Sequence, residues 1–145
     1  MVLGYDGSPA AKAAADEAIA LAKERGECDI VVVSTHERLP QFDRMPFLLG
    51  RIDESQWRRE WRDSTEQDLH HEVTRIRLAG VEARPVCSPD DPIDLLQRVA
   101  VEIDAECIVV ADDRGGALRD ALVGSIAKRL RRVSKIPVVV VGDER

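Results

Sequence analysis

Short apolar runs alternate with longer helical patterns along the chain, and this alternation restricts the fold more than any other feature of the sequence. Three of the runs lack the regular polar residues of a half-exposed strand: Ile30–Ser34, Cys107–Ala111 and Pro137–Val141. Such runs are typical of strands that are covered on both faces. Helices between successive strands provide the crossovers that parallel pairing needs. The pattern therefore predicts an α/β fold with a single doubly wound, five-stranded parallel sheet and helices on both of its faces.

Local signals mark the ends of several elements. Ser8-Pro9 places an N-cap before a proline at the first helical position, and Asp91-Pro92 repeats this arrangement. Gly26 ends the first of these two helices. The predicted helices are Pro9–Arg25, Asp53–Ala79, a third that begins at Asp91-Pro92 and a fourth that ends near Ser134. The predicted strands are Met1–Tyr5, Ile30–Ser34, Val81–Cys87, Cys107–Ala111 and Pro137–Val141.

Length and composition indicate one globular domain. The chain has 145 residues, of which 44% are hydrophobic and 33% charged, and a chain of this length is typical of one domain. We therefore predict a single domain over residues 1–145. The formal net charge of −6 is opposite in sign to that of proteins that bind nucleic acid through their overall charge, so nucleic acid is not an expected partner.

The sequence also predicts a cytoplasmic protein that does not bind membranes. No stretch approaches the ~20 apolar residues that span a bilayer. The first residues, MVLGYDGS, lack the basic and apolar segments of a signal peptide. The cysteines Cys28, Cys87 and Cys107 are odd in number, far apart and without a C-x-x-C spacing, which favours a reducing compartment.

Polar residues follow the predicted strands at the ends where this fold binds ligands. In doubly wound sheets the ligand lies beyond the carboxyl ends of the strands, where the strand order reverses. The sequence places at that edge Asp6-Gly7-Ser8, Thr35-His36-Glu37, Ser88-Pro89-Asp90-Asp91 and Asp112–Gly116, with Gly124-Ser125 ahead of the last helix.

Two segments carry a family resemblance. YDGSP near the start and the final third, CIVVADDRGGALRDALVGSIAKRLRRVSKIPVVVV, resemble the universal stress protein family, and the similarity extends over nearly the whole chain. The resemblance implies a stress-response role and, in members that bind ATP, a nucleotide site. It assigns Asp6 to the adenosine portion, Thr35 to the base, and Gly124 and Ser125 to the phosphate motif. Each has a plain structural role as well: Asp6 suits a turn, Thr35 the end of a strand, and Ser125 an N-cap.

The phosphate motif departs from the family pattern. ATP-binding members carry Gly-x2-Gly-x9-Gly-Ser, and alignment on Gly124-Ser125 puts Ala111 and Arg114 at the first two glycines. Gly115 lies one position late, and Asp90 stands where the family often has a glycine. Bare backbone presents N–H groups to phosphate oxygens, so side chains at these positions obstruct that contact.

The aspartates at the same edge add repulsion. Two like charges ~4 Å apart repel by roughly 4 kcal/mol at an effective dielectric constant near 20. We therefore predict weak or absent ATP binding and no required cofactor. The alternative is an ATP-binding protein in which Mg²⁺ or an arginine lies between the aspartates and the triphosphate, and it includes slow nucleotide hydrolysis.

No catalytic or metal-binding constellation stands out. His36 and Glu37 are adjacent on a strand and point to opposite faces. His70-His71-Glu72 does not fit the zinc motif H-E-x-x-H. A phosphorylatable receiver domain has paired acids after the first strand and a lysine after the last, which this chain lacks. We predict a non-catalytic stress-response protein that signals through unidentified protein partners.

The last strand predicts a homodimer. In the strand order 3-2-1-4-5 the outer strands are Val81–Cys87 and Pro137–Val141. The first carries charges and an internal proline, which protect an edge. The last has four uninterrupted valines, so we predict antiparallel pairing of Pro137–Val141 with a second copy across a two-fold axis. The family resemblance implies the same mode of association.

Overall fold

The computed structural model describes residues 1–36, 54–112 and 126–142 of the chain. Its strands are β1 (Val2–Gly4), β2 (Ile30–Thr35), β3 (Ala83–Ser88), β4 (Ile108–Ala111) and β5 (Val138–Val141). Its helices are α1 (Pro9–Arg25), α2 (Glu54–Leu78), α3 (Pro92–Glu102) and α4 (Ile126–Val133). The predicted order of elements is confirmed, and the ends that lie within the described residues agree with the prediction to within two residues; both ends of α1 agree with it. The predicted start of α2 at Asp53 lies outside the described residues.

The strands form one five-stranded sheet in the order β3-β2-β1-β4-β5. Every neighbouring pair is parallel, with Val2 opposite both Val31 and Ile108. The predicted strand order is therefore confirmed. Because β1 is central and the chain moves outward from it in both directions, the crevice beyond the carboxyl ends of β1 and β4 is the switch point of the topology.

Helices cover both faces of the sheet, as predicted. Leu3, Val32 and Val109 pack beneath α1 and α2, whereas their neighbours in sequence, such as Val2 and Val110, pack beneath α3 and α4. Successive residues of a strand point to opposite faces of the sheet. When helices cover both faces, the residues that point to each face must therefore be apolar. This requirement explains why the central strands show no polar alternation.

Both predicted N-caps are confirmed. The Ser8 Oγ accepts a hydrogen bond of 3.1 Å from the backbone N–H of Ala11. The Asp91 carboxylate accepts one of 3.0 Å from Ile93 N–H. Each cap fixes the start of a helix at the carboxyl edge of the sheet, where it also fixes the preceding loop.

The two outer strands differ, as the sequence predicts. In β3, Arg84 is exposed and Pro85 lies within the strand. In β5 all four valines are half-buried, and β4 is its strand partner among the described residues. Among those residues, no helix is both long enough and apolar enough to cross a bilayer.

Candidate functional site

The described part of the crevice consists of the residues that follow β1, β2 and β3. They are the turn after β1, the end of β2 and the loop between β3 and α3. Ala111 ends β4 and is half-buried, with Asp112 directly after it. Gly124 and Ser125 lie outside the described residues, as do Asp113, Arg114 and Gly115, so the phosphate motif itself is not described.

Asp6 forms a tight turn between β1 and α1. Its Oδ1 accepts a hydrogen bond of 2.9 Å from Ser8 N–H. Gly7 has a φ of 80°, a conformation that residues with a Cβ rarely adopt. Asp68 of α2 lies against this turn, since its Oδ2 is 3.5 Å from where a Cβ on residue 7 would stand. The turn role predicted for Asp6 is present, and the residue as a whole is exposed at the sheet edge.

Thr35 is tied to the loop after β3. Its Oγ1 donates a hydrogen bond of 2.7 Å to the backbone carbonyl of Asp90. Thr35 is half-buried and is the last residue of β2. The hydroxyl proton that a base-contacting threonine would offer to a ligand is therefore used within the protein.

The Asp90 side chain forms hydrogen bonds with two other side chains. Its Oδ2 accepts hydrogen bonds of 2.7 Å from Ser88 Oγ and of 2.7 Å from Arg98 Nη2 of α3. We call Thr35, Ser88, Asp90 and Arg98 the Asp90 clasp. It joins the ends of β2 and β3 to the second turn of α3, and it fixes the loop that stands where the family often has a glycine.

Arg98 also changes the electrostatics of this edge. Its hydrogen bond, followed by that of Ser88, lowers the pKa of Asp90 below its ordinary value. The guanidinium neutralises one of the aspartates that we expected to repel a phosphate group. Asp91 accepts hydrogen bonds from the first turn of α3, as its N-cap role requires. The predicted repulsion between the aspartates and a phosphate group is therefore weaker at Asp90 than the sequence indicates.

An ionic cluster built around one buried carboxylate lies beneath the turn after β1. Glu72 of α2 is only 4% exposed, and it accepts hydrogen bonds of 3.0 and 3.1 Å from Arg75 Nε. Arg75 also donates a hydrogen bond of 2.8 Å to Asp16 of α1. Burial, followed by the charges of Glu72 and Asp68, raises the pKa of Tyr5 to about 12. The cluster joins α1, α2 and the end of β1.

The clasp and the cluster were not predicted from the sequence. The sequence placed Ser88 at this edge, but it gave no sign that Ser88 and Arg98 contact Asp90, because that contact depends on the conformation of the loop. Glu72 did carry a signal: with Leu69, Val73 and Ile76 it follows the i, i+3, i+4, i+7 spacing of a buried helix face. A carboxylate at such a position requires a partner.

The comparisons with known proteins agree with this architecture. The sequence profile of the universal stress protein family matches residues 1–142. A search of curated proteins finds no match.

Among solved structures, similarity extends over almost the whole chain. A family member from Burkholderia pseudomallei is 25% identical, with a TM-score of 0.70, over 98% of this chain and 94% of that one. A universal stress protein in complex with cAMP is 24% identical, with a TM-score of 0.67, over 97% and 94%. One from Archaeoglobus fulgidus in complex with dAMP is 23% identical, with a TM-score of 0.68, over 96% and 94%.

The strand order, with β1 at the centre and a crevice at the carboxyl ends of the strands, agrees with the fold of these structures. Because the family profile spans nearly the entire sequence, the chain belongs to the universal stress protein family.

Proposed function

We propose that this protein is a non-catalytic universal stress protein that acts as a cytoplasmic homodimer through protein partners and binds ATP weakly or not at all. The Asp90 clasp is the observation that carries the proposal. A nucleotide base that approached the end of β2 would have to compete with the Thr35–Asp90 bond for the Thr35 hydroxyl proton.

The described residues fit a nucleotide only in part. Asp6 is exposed at the end of β1, where its carboxylate suits a sugar hydroxyl. Thr35 fits poorly, because a ligand would have to break its bond to Asp90 before accepting its proton. The Asp90 carbonyl would then lose its hydrogen bond from Thr35, which costs about 1 kcal/mol, or roughly fivefold in affinity. The clasp also removes the conformational freedom that a glycine would give the loop.

The hydroxyls at the crevice support a non-catalytic role. Ser8 caps α1, and Ser88 belongs to the clasp. A serine nucleophile needs a base that can take its proton. Ser8 has helix backbone as its hydrogen-bond partner, and the carboxylate beside Ser88 is a weakened base because Arg98 lowers the pKa of Asp90. This supports signalling by binding rather than by turnover.

The outer edge of β5 supports the dimer. The carbonyls of Pro137 and Val141 accept hydrogen bonds from Ile108 and Asp112. Because backbone groups alternate in direction along a strand, those of Val138 and Val140 point toward the outer edge. Within residues 1–36, 54–112 and 126–142, no strand pairs with this outer edge, and an apolar edge of this kind is suited to pairing with a second copy.

The alternative is an ATP-binding protein that hydrolyses the nucleotide slowly. It is favoured by the similar structures that contain cAMP and dAMP. A sensitive phosphate-release assay with Mg-ATP separates the two functions, since the proposed protein releases no phosphate above the background rate.

Calorimetric titration of Mg-ATP and cAMP tests the clasp. We expect no saturable binding by the native protein in the micromolar range. Asp90→Gly should bind about fivefold more tightly than the native protein, because loss of the carboxylate releases the loop from Ser88 and Arg98 and lets the backbone carbonyl that holds Thr35 move away. Asp104→Gly is the matched control: Asp104 has a φ of 53° and lies at the opposite edge of the sheet, so its affinity should not change. A native dissociation constant in the low micromolar range would refute the proposal.

A further inference from the structure

Helix α4 and the residues after it concentrate positive charge in an acidic protein. Of the ten residues 126–135, five are cationic and none is acidic. Lys128, Arg131, Arg132 and Lys135 follow the spacing i, i+3, i+4, i+7, and all four are exposed. We call these four residues the cationic stripe. Because the chain has 21 cations and 27 acids, the residues outside the stripe carry 17 − 27 = −10.

Helix stability does not account for the stripe. Ala127 and Leu130 bury the inner face of α4 against the sheet, so the stripe makes no contribution to the core. Arg131 and Arg132 suit the last turn of a helix, but Lys128 lies in the first turn, where a cation opposes the helix dipole. Within the described part of the chain, no carboxylate forms an ion pair with Arg131, Arg132 or Lys135.

Beyond Arg129, an apolar margin lies beside the stripe on the side that faces α3. Val133 and Ile126 are 51% and 43% exposed. Val133 lines a shallow groove of about 450 Å³ between α3 and α4, together with Ile93, Asp94 and Arg129. The stripe thus offers cations, its margin offers apolar contact, and the far wall of the groove is acidic.

We propose that the cationic stripe and the Val133 margin bind an acidic segment of a partner protein that carries an apolar side chain beside its carboxylates. The carboxylates would pair with the stripe, and the apolar group would lie on Val133. Asp94 on the far wall repels carboxylates, so it would fix the orientation of the segment.

The size and surroundings of the stripe favour a protein segment over nucleic acid. The helical part of the stripe, from Lys128 to Arg132, spans about 6 Å, which is less than one Debye length at physiological salt, and Lys135 lies just beyond the end of α4. A compact acidic segment therefore contacts the stripe alone. A long phosphate polymer would also cross the remaining surface, whose net charge of −10 repels it.

The stripe also bears on the dimer proposed above. The helix that carries most of the stripe packs against β5. Two copies paired through β5 would bring two stripes close together, and their like charges would oppose pairing. An acidic segment between them is expected to favour the dimer. This consequence rests on the proposed function, whereas the stripe as a binding surface does not.

Fluorescence anisotropy with a labelled peptide tests the proposal. The probe is a short helical peptide in which Glu recurs at i, i+3, i+4 and i+7 beside one Leu. The test variant combines R131E, R132E and K135E. The control combines K12E, K23E and R84E, three exposed cations elsewhere, so both variants have the same net charge. Circular dichroism first establishes that both are folded.

We expect saturable binding by the native protein at low salt, a loss of at least about tenfold in the stripe variant, and less than about twofold in the control. Replacing the Leu of the peptide should weaken binding as well. Equal loss in both variants, or no saturable binding by the native protein, would overturn the proposal.

Two further probes test the class of partner. Duplex DNA and anionic phosphatidylserine vesicles should bind more weakly than the peptide, and stripe-dependent binding of either that is tighter would overturn the choice of a protein segment. Sedimentation of the same samples separates the two proposals: a monomer that binds the peptide contradicts the dimer and leaves the stripe supported.

Discussion

Replacing Arg75 by methionine should destabilise the protein by about 3 kcal/mol, because it leaves the buried carboxylate of Glu72 without its cation. The Glu72 side chain is 5% exposed, and the Arg75 side chain is 45% exposed. Removing one partner of a buried ion pair costs about 3–5 kcal/mol. Water can reach the outer part of the Arg75 guanidinium, which places the loss at the lower end of that range. The exposed Arg75–Asp16 pair adds at most about 0.5 kcal/mol.

The double variant distinguishes charge burial from lost packing. Glu72→Gln alone should cost about 1 kcal/mol, since an amide replaces the carboxylate and keeps some of its hydrogen bonds. Glu72→Gln combined with Arg75→Met leaves no buried charge, so it should be more stable than Arg75→Met alone by about 2 kcal/mol.

Urea unfolding followed by circular dichroism measures these differences. The slope of the unfolding free energy against urea concentration should be the same in all variants, because the surface exposed on unfolding is nearly unchanged. If Arg75→Met costs less than about 1 kcal/mol, or if the double variant is no more stable than Arg75→Met, Glu72 is not held by the ion pair.

Two other predictions concern Tyr5 and β5. Tyr5 is the only tyrosine of the chain, so the ultraviolet absorbance of tyrosinate should report a midpoint near pH 12 instead of 10. Because the pKa of Tyr5 is higher in the folded than in the unfolded protein, the stabilisation from its neutral hydroxyl is complete below pH 10 and is lost as pH rises through 12. The unfolding free energy should therefore fall more steeply between pH 10 and pH 12 in the native protein than in Tyr5→Phe. Equal slopes would contradict the raised pKa. Val140→Pro removes an outward N–H of β5 and should give a folded monomer in light scattering. Val140→Ala keeps that donor and should remain a dimer. A dimeric proline variant would count against pairing through β5.

Much of the fold follows from short-range patterns in the sequence. The apolar runs identified the strands because two covered faces leave no place for polar residues, and the helices between them imposed parallel pairing. Ser8 and Asp91 could be identified as caps because each precedes a proline at the first helical position. Strand ends were less well defined: Val81 and Glu82 precede β3 although their sequence continues the strand pattern.

The helix faces were predicted less completely. The helical spacing of the apolar residues in α3 predicts a buried face formed by Ile93, Leu96, Val99, Ala100 and Ile103. Leu95 is buried as well, and Ile103 is half-buried at the end of the helix. A helix that packs on both a sheet and a neighbouring helix buries a wider arc than its periodic stripe indicates.

The candidate site was predictable by position but not by contact. The topology placed Asp6, Thr35 and Asp90 at one edge of the sheet, where the structure describes them. The hydrogen bonds of Thr35 and Arg98 to Asp90 depend on the path of a short loop, which no periodicity encodes. Glu72 is the opposite case, because its place on a buried helix face was readable from the spacing of its apolar neighbours.

Native mass spectrometry of the protein purified from cells tests the central claim most directly, because it reports subunit number and retained small molecules together. The account predicts a dimer whose mass equals that of two chains, with no nucleotide bound and no change after addition of Mg-ATP at micromolar concentration. A mass increase equal to one nucleotide for each chain would contradict it.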